Sequence, residues 1–221
     1  MKKSAVPVDA PKPPKARGRP RSFDRESALA AAMDVFWKKG FEAASISDLT
    51  EAMGINPPSL YAAFGDKEQL FLEAMERYER SRGDSCPYSD EATARAAIER
   101  LLTYMATDLT GSDHPRGCMM LMAVATSANA SARLKKAVTD KRVAAREHLR
   151  ARIKRGIEEG DVPRGADASA LADFYSTVMN GMAMMARDGV SRRSLLATVE
   201  QAMQLFPASS ARGKRREAAA A

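Results

Sequence analysis

The fold is decided by residues 46–64, which read ISDLTEAMGINPPSLYAAF. Ser45 precedes the stretch as a helix cap, and Asp48 stands three residues later, where its carboxylate completes a capping box. Asn56 caps a second start, and Pro57 suits a first helical turn because its missing N–H would have no partner there. The pattern predicts helices over 46–53 and 57–63, joined at Met53-Gly54-Ile55 in a helix-turn-helix arrangement.

Apolar residues in this segment are spaced to hold the two helices at a fixed angle. They are Ile46, Leu49, Met53, Ile55, Leu60 and Phe64. The same spacing predicts an outward face made of Ser47, Pro57, Ser59, Ala62 and Ala63.

The rest of the chain is also typical of helix, since it is rich in Ala, Leu, Met, Glu and Arg and interrupted by few prolines. Glycines follow the periodic segments where helices would end in left-handed caps. We therefore predict an all-α fold of about nine helices. Besides the two above, they cover about 25–39, 67–82, 90–110, 116–128, 132–159, 167–188 and 191–206.

Composition excludes several classes of protein. At 221 residues, with 45% hydrophobic and 29% charged residues, the chain is an ordinary globular protein. Two cysteines and two isolated histidines predict no metal site, no cofactor and a reducing, cytoplasmic setting. The sequence contains no membrane span, no nucleophile with a paired base and no phosphate loop. We therefore expect no enzymatic activity.

The net charge of +7 is concentrated at the two ends. Residues 1–21 hold seven Lys and Arg against one acidic residue, and residues 208–221 hold four against one. Residues 22–207 hold 24 basic and 26 acidic side chains, and within them residues 22–82 hold seven basic and eleven acidic ones. Basic tails on a nearly neutral body predict a polyanionic partner, and nucleic acid fits better than a membrane because no amphipathic apolar face accompanies the charge.

From Gly18 to about Tyr78 the chain resembles the TetR/AcrR family of dimeric transcriptional regulators. The resemblance rests on GRPRSFDRESAL, FWKKGFEAASISDLTEAMGI and PPSLYAAFGDKEQLF. It implies an N-terminal helix-turn-helix head and a C-terminal ligand-binding and dimerisation domain. It further implies a homodimer on a palindromic double-stranded DNA operator, in most cases a repressor that a small-molecule effector releases.

The resemblance also assigns DNA contacts to particular positions. Tyr61 matches a recognition-helix tyrosine whose hydroxyl binds phosphate, and Lys67 matches a lysine that clamps the backbone. Ser45, Ser47, Pro57, Ser59 and Ala62 match further positions that face phosphates or base edges. Each residue also has a plain alternative: Tyr61 as core filling, Lys67 as a solvated charge and Ser45 as a cap only.

The N-terminal arm resembles minor-groove hooks of the Arg-Gly-Arg-Pro type, with Arg17, Arg19 and Arg21 following the narrow groove of A·T tracts. The alternative is a tail that serves only solubility. We expect domains at 1–21 (a disordered basic arm), 22–82 (the DNA-binding head), 83–207 (effector binding and dimerisation) and 208–221 (a disordered tail).

The C-terminal half concentrates methionine, which suits a cavity that adapts to apolar ligands. The resemblance locates the effector pocket among these helices, and plain core packing is the alternative for any single methionine. The predicted lining is Tyr104, Met105, Cys118, Met119, Met122, Phe174, Tyr175 and Met179.

Cys118 follows DHPRG in the predicted first turn of the sixth helix. The helix dipole and Arg116 would favour a thiolate there, so Cys118 is also a candidate electrophile or redox sensor. The alternative is a small core cysteine, and Cys86 is expected to be incidental.

The last two helices carry broad apolar faces that a monomer would partly expose. The resemblance implies a four-helix dimer interface formed by Val178, Gly181, Met182, Met185, Leu195, Leu196, Val199 and Met203. Two rival functions remain open at this point. They are a tail-driven architectural DNA binder and a ligand-binding or thiol-redox enzyme.

Overall fold

The computed structural model describes residues 23–83, 90–122 and 130–208. Within them every extended regular element is an α-helix, which confirms the all-helical prediction. The nine helices are α1 (Arg25–Ala43), α2 (Ile46–Met53), α3 (Pro57–Phe64), α4 (Lys67–Gly83), α5 (Ala94–Asp108), α6 (Met119–Met122), α7 (Ala132–Glu159), α8 (Ala168–Arg187) and α9 (Arg192–Gln204).

The predicted capping interactions of the N-terminal half are present. Ser45 and Asp48 form the reciprocal capping box of α2, and the Asn56 side chain accepts a hydrogen bond from the Ser59 N–H at the start of α3. Between them Gly54 has φ +64° and ψ +30°, a left-handed conformation that glycine adopts at little cost. Local side-chain chemistry therefore sets both ends of the turn.

Three helix boundaries differ from the sequence prediction. α5 begins at Ala94 rather than near residue 90 because the Thr93 side chain caps it. α6 begins at Met119 rather than 116, since Gly117 adopts φ +84° and interrupts the helical path. α1 runs on to Ala43, but it bends at Gly40, which has φ +77°.

Two hydrophobic cores organise these helices. The first contains the inner faces of α1 to α4, and it also takes in Met119 of α6 together with Leu134 and Val138 of α7. The second joins α5, the C-terminal half of α7, α8 and α9. Cys118 packs against both cores. The head is therefore continuous in its packing with α6 and the start of α7.

The structure corrects half of the predicted dimer interface. Met182, Leu195, Val199 and Met203 are at most 3% exposed and lie in the second core. They bury their area within one protomer because the apolar faces of α8 and α9 close onto α5. The apolar side chains that stay exposed near this end of the chain are Phe174, Met184, Met185 and Leu205.

Among the helices of the described residues, none combines the length and the apolar character that crossing a membrane requires.

Candidate functional site

The helix-turn-helix unit is anchored from beneath by buried apolar residues. Leu49 and Leu60 are fully buried, Phe64 is 2% exposed, and Ile46 and Ile55 pack partly buried against the same core. This packing fixes the angle between α2 and α3 and leaves their opposite faces in solvent.

The residues predicted to contact DNA lie on that solvent face or at its edge. Ser45, Ser47, Pro57, Tyr61 and Ala62 are exposed, whereas Ser59 is half-buried. Tyr61 keeps 49% of its surface exposed, so core filling does not describe it. An exposed aromatic ring on the second helix of such a unit is available to a partner.

Lys67 stands at the first residue of α4 but reaches back across the head. Its Nζ lies 3.4 Å from the Glu42 carbonyl and 4.6 Å from the centre of the Phe41 ring. Partial burial lowers the pKa of Lys67, against the opposing attraction of Glu42 and Asp48. The ammonium is thus held at the α1–α2 turn, beside the capped start of α2.

Asp48 joins two contacts at that same turn. Its carboxylate accepts hydrogen bonds from the Ser45 N–H at 3.0 Å, and it forms an ion pair with Lys39 at 2.7 Å. The bond from Lys39, followed by those from Ser45, lowers the pKa of Asp48 to about 2. Arg17, Arg19 and Arg21 of the predicted hook lie outside the described residues, as does Cys86.

The predicted effector residues that the structure describes lie in different surroundings. Tyr175 is fully buried, and its hydroxyl donates to the Ala202 carbonyl at 3.1 Å, so it ties α8 to α9 instead of lining a pocket. Burial raises the pKa of Tyr175 to about 12. Met119 is 1% exposed and belongs to the first core, whereas Phe174 is exposed at the surface.

The remaining predicted lining residues are distributed over α5, α6 and α8. Met105 and Met179 pack partly buried on the second core, and Cys118 touches both cores. The side chain of Met122 lies outside the description. Tyr104 lines a cavity of about 550 Å³ where α1 and α4 of the head meet α5.

A junction around Trp37 joins the head to the C-terminal half. Trp37 is 2% exposed, and its indole N–H donates to the Gly117 carbonyl at 3.0 Å. The His114 ring stacks on the indole at 4.7 Å, and the Tyr78 ring meets it edge-on at 4.9 Å. One side chain of α1 is thereby bound to the loop that connects α5 and α6.

Arg82 of α4 completes this junction. Its guanidinium lies over the rings of Trp37 and Tyr78, at 4.8 and 4.5 Å, and pairs with Asp108 of α5. A second nitrogen lies 3.4 Å from His114 Nε2. The cation is therefore shared between the aromatic stack of the head and the carboxylate of the C-terminal half.

Helix α8 contacts the head directly through Arg187. Its guanidinium donates to the carbonyls of Trp37 at 3.1 Å and Lys38 at 2.8 Å, close to the bend of α1. Arg116 in turn donates to Ala186 and Val190, where it caps the C-terminal end of α8. The Arg116 guanidinium is therefore engaged at α8, and its predicted effect on the Cys118 thiol stays a prediction.

Sequence reasoning missed this junction. The single tryptophan was a usable signal, since a buried indole N–H requires an acceptor. The acceptor lies 80 positions further along the chain, however, and no local pattern identifies it.

Family models match both halves of the chain. Residues 28–74 match the model of bacterial regulatory proteins of the tetR family, and residues 93–205 match a tetracyclin repressor-like C-terminal domain. The chain is 32% identical to the HTH-type transcriptional repressor ComR of Escherichia coli K12 over 196 residues, covering 87% of this chain and 93% of ComR. It is 34% identical to the repressor BdcR of the same organism over 189 residues, covering 84% and 90%.

A solved structure is similar over nearly the same length. It is a cysteine mutant of the TetR family transcriptional regulator CifR, complexed with 26 bp double-strand operator DNA. Its chain is 42% identical to this one, with a TM-score of 0.82, and the match covers 86% of this chain and 100% of the CifR chain.

The low pKa of Asp48 predicts how the stability of the head depends on pH. The folded value of about 2 lies below the ordinary 3.8, so the carboxylate stabilises the fold above pH 4, and this contribution is lost as pH falls toward 2. We expect Asp48→Asn to lower the free energy of unfolding at pH 6, with the difference from wild type vanishing near pH 2. Urea unfolding at a series of pH values measures this. Asp34→Asn in α1 is the matched control, and a difference independent of pH would contradict the assignment.

Proposed function

The chain belongs to the TetR family of bacterial regulatory proteins and is a helix-turn-helix transcriptional repressor rather than an enzyme. From this premise we propose that two copies of the chain bind one palindromic operator and release it when a small apolar molecule binds in the C-terminal half. The observation that carries the proposal is the exposed face of α2 and α3 on a rigid, capped support.

The proposed DNA contacts combine charge with exposed hydrogen-bonding groups. Tyr61 and Lys67 would bind phosphates, Ser45 and Ser47 would contact the backbone at the start of α2, and Pro57, Ser59 and Ala62 would face base edges. CifR, which is similar to this chain throughout its length, is complexed with operator DNA. That similarity supports a DNA-binding role for the same face here.

Two substitutions test the phosphate contacts. Tyr61→Phe and Lys67→Ala should each weaken operator binding by about 1 to 2 kcal/mol, because each removes one hydrogen-bond donor to the backbone. Fluorescence anisotropy on an operator selected from random DNA measures the affinity, and size-exclusion chromatography monitors the oligomer. Lys154→Ala, an exposed lysine on the far part of α7, is the control. Unchanged affinity in both test variants would contradict the assignment of phosphate contacts to Tyr61 and Lys67.

A dimer of this chain would be formed mainly by the outer face of α8. Phe174, Val178, Gly181 and Met185 follow one another at helical spacing, and Phe174 and Met185 remain 38% and 40% exposed. A Cβ atom added at Gly181 would have no neighbouring atom within 4 Å, so this position is open and a partner helix could approach closely there. We propose these four residues, with Leu196, Met184 and Leu205, as the revised dimer interface.

The basic arm of residues 1–21 would supply the positive charge that the head lacks. The head of residues 22–82 carries a net negative charge, which is unfavourable for approach to DNA unless another segment compensates it. In this proposal the effector and dimer domain covers 83–207, and the basic tail covers 208–221.

Deleting residues 1–21 should weaken operator binding and flatten its dependence on salt, since fewer counterions are then released. The measured quantity is the slope of log affinity against log salt concentration. If the truncated protein keeps the full slope, the arm does not contact DNA. Deletion of residues 208–221 provides the matched control, because that segment is also basic.

A specific contact favours a second candidate function, a thiol sensor based on Cys118. The Tyr78 hydroxyl of α4 donates to the Cys118 sulfur at 3.4 Å, and Cys118 packs against both cores. Burial, followed by the interaction with Cys118, raises the pKa of Tyr78 well above its ordinary value, so the hydroxyl keeps its proton. An adduct on this sulfur would disturb the packing of α4 against the residues just before α6.

N-Ethylmaleimide tests this alternative, since a thiolate adds across its double bond and leaves a bulky group on sulfur. We expect Cys118 to react before Cys86 and the adduct to release the operator. Cys118→Ser should bind DNA and resist release, whereas Cys86→Ser should behave like wild type. Mass spectrometry and anisotropy follow the two events. If N-ethylmaleimide releases the operator from Cys118→Ser as it does from wild type, Cys118 is not the sensor. The reversible apolar ligand then stands as the proposed effector.

A further inference from the structure

The cavity of about 550 Å³ beside Trp37 lies between the head and the C-terminal half. From the head it is lined by Met33 and Trp37 of α1 and by Arg82 of α4. From the other side it is lined by Tyr104 and Thr107 of α5, by the loop after α5, and by Arg192 at the start of α9. Its volume is within the range of small-molecule sites.

The apolar part of this lining is rigid. Trp37 is held by its bond to Gly117 and by the His114 stack, and it lies beside Met33 one turn earlier on α1. Tyr104 faces them from α5, half-buried. The Met33 thioether and the Tyr104 ring supply the accessible apolar surface, and the nearly buried Trp37 indole lies beside it.

The charged side chains around the cavity differ in how far they are paired with other groups of the protein. Asp108 pairs with Arg82, and Asp113, whose side chain is 84% exposed, lies 3.7 Å from His114 Nε2 at the cavity. Arg192 is different: within residues 23–83, 90–122 and 130–208 the contact of its guanidinium is a hydrogen bond of 3.4 Å from Nε to the Thr110 hydroxyl. Nη1 and Nη2, the two terminal nitrogens of this guanidinium, can donate hydrogen bonds to a carboxylate.

We propose that this junction cavity binds a small arylalkyl carboxylate, with the carboxylate on Arg192 and the aryl group against Met33 and Tyr104, beside the buried Trp37 indole. The site shares Tyr104 with the effector lining predicted from the sequence but contains none of the methionines of that lining. The regulatory part of the inference rests on the proposed function, because a ligand here acts on DNA only if the chain is an operator-binding repressor.

A ligand in this position would touch both bodies that must move relative to each other. Met33, Trp37 and Arg82 belong to the head, and Tyr104 and Arg192 belong to the C-terminal half. Binding therefore favours the arrangement of the head and the C-terminal half in which residues from both sides contact the ligand. A ligand shifts the head only through such a difference in affinity between arrangements.

The single tryptophan makes the test direct. 4-Phenylbutyrate is titrated into the full chain without DNA, Trp37 emission is excited at a wavelength that the ligand does not absorb, and 4-phenylbutyramide serves as the uncharged ligand. We expect phenylbutyrate to change the emission saturably. Wild type should bind the amide at least about fivefold more weakly than it binds the acid. Arg192→Gln should bind phenylbutyrate at least about fivefold more weakly than wild type does. Arg193→Gln, one residue further along α9, should bind like wild type.

A second variant blocks the cavity without removing a charge. Thr107 is exposed on α5, so Thr107→Phe should fold and fill the space, and it should abolish the saturable change. Equal binding of the acid by wild type, Arg192→Gln and Thr107→Phe, or no saturable change in wild type, would overturn the inference.

Operator binding is measured separately on the same proteins. Addition of phenylbutyrate should release the operator from wild type but not from Thr107→Phe, and binding without release would overturn the regulatory part. Failure of the ligand-free protein to bind any selected DNA would instead count against the proposed function. The two failures are distinguishable because the Trp37 titration contains no DNA.

Discussion

The structure depends on the burial of one indole ring. Trp37 loses nearly all its contact with solvent, so its N–H must find an acceptor inside the protein. It finds the carbonyl of Gly117, whose left-handed conformation turns the chain at that point just before α6. A substituent at Gly117 would meet the Ala183 carbonyl at 3.0 Å, so the loop is also pressed against α8. The first helix, the connecting loop and α8 are thereby fixed to one another.

This arrangement connects the DNA-binding head physically to the C-terminal half. Arg187 binds α8 to the end of α1, and Arg82 binds α4 to α5, so the head is held to the C-terminal half at two separate points. Cys118 and the junction cavity lie beside the same contacts. In the proposals made above, a ligand or an adduct at either place would act on groups that hold the head, and no long pathway through the protein would be required.

The sequence predicts the helix-turn-helix unit well because its determinants are local. Ser45, Asp48, Asn56 and Gly54 act on backbone groups within a few residues, and the predicted start and end of α2 agree with the structure. The sequence predicts the C-terminal half less well, since burial there depends on which helix lies opposite. Tyr175 and Met182 have the composition of a pocket or an interface, yet both fill the core between α5, α8 and α9. The ion pairs and hydrogen bonds of the junction join residues that are distant in sequence, and periodicity carries no information about them.

The central claim, which rests on the proposed dimer, is that the contacts around Trp37 set the separation of its two DNA-binding heads. Selection of bound sequences from random DNA, carried out in parallel with the wild-type chain and with Arg187→Gln, tests it most directly. The account predicts a two-fold symmetric consensus with one fixed half-site spacing for the wild type. Arg187→Gln should select the same half-site with relaxed spacing, because α8 no longer holds the end of α1. A wild-type consensus without two-fold symmetry, or identical fixed spacing in both proteins, would contradict the account.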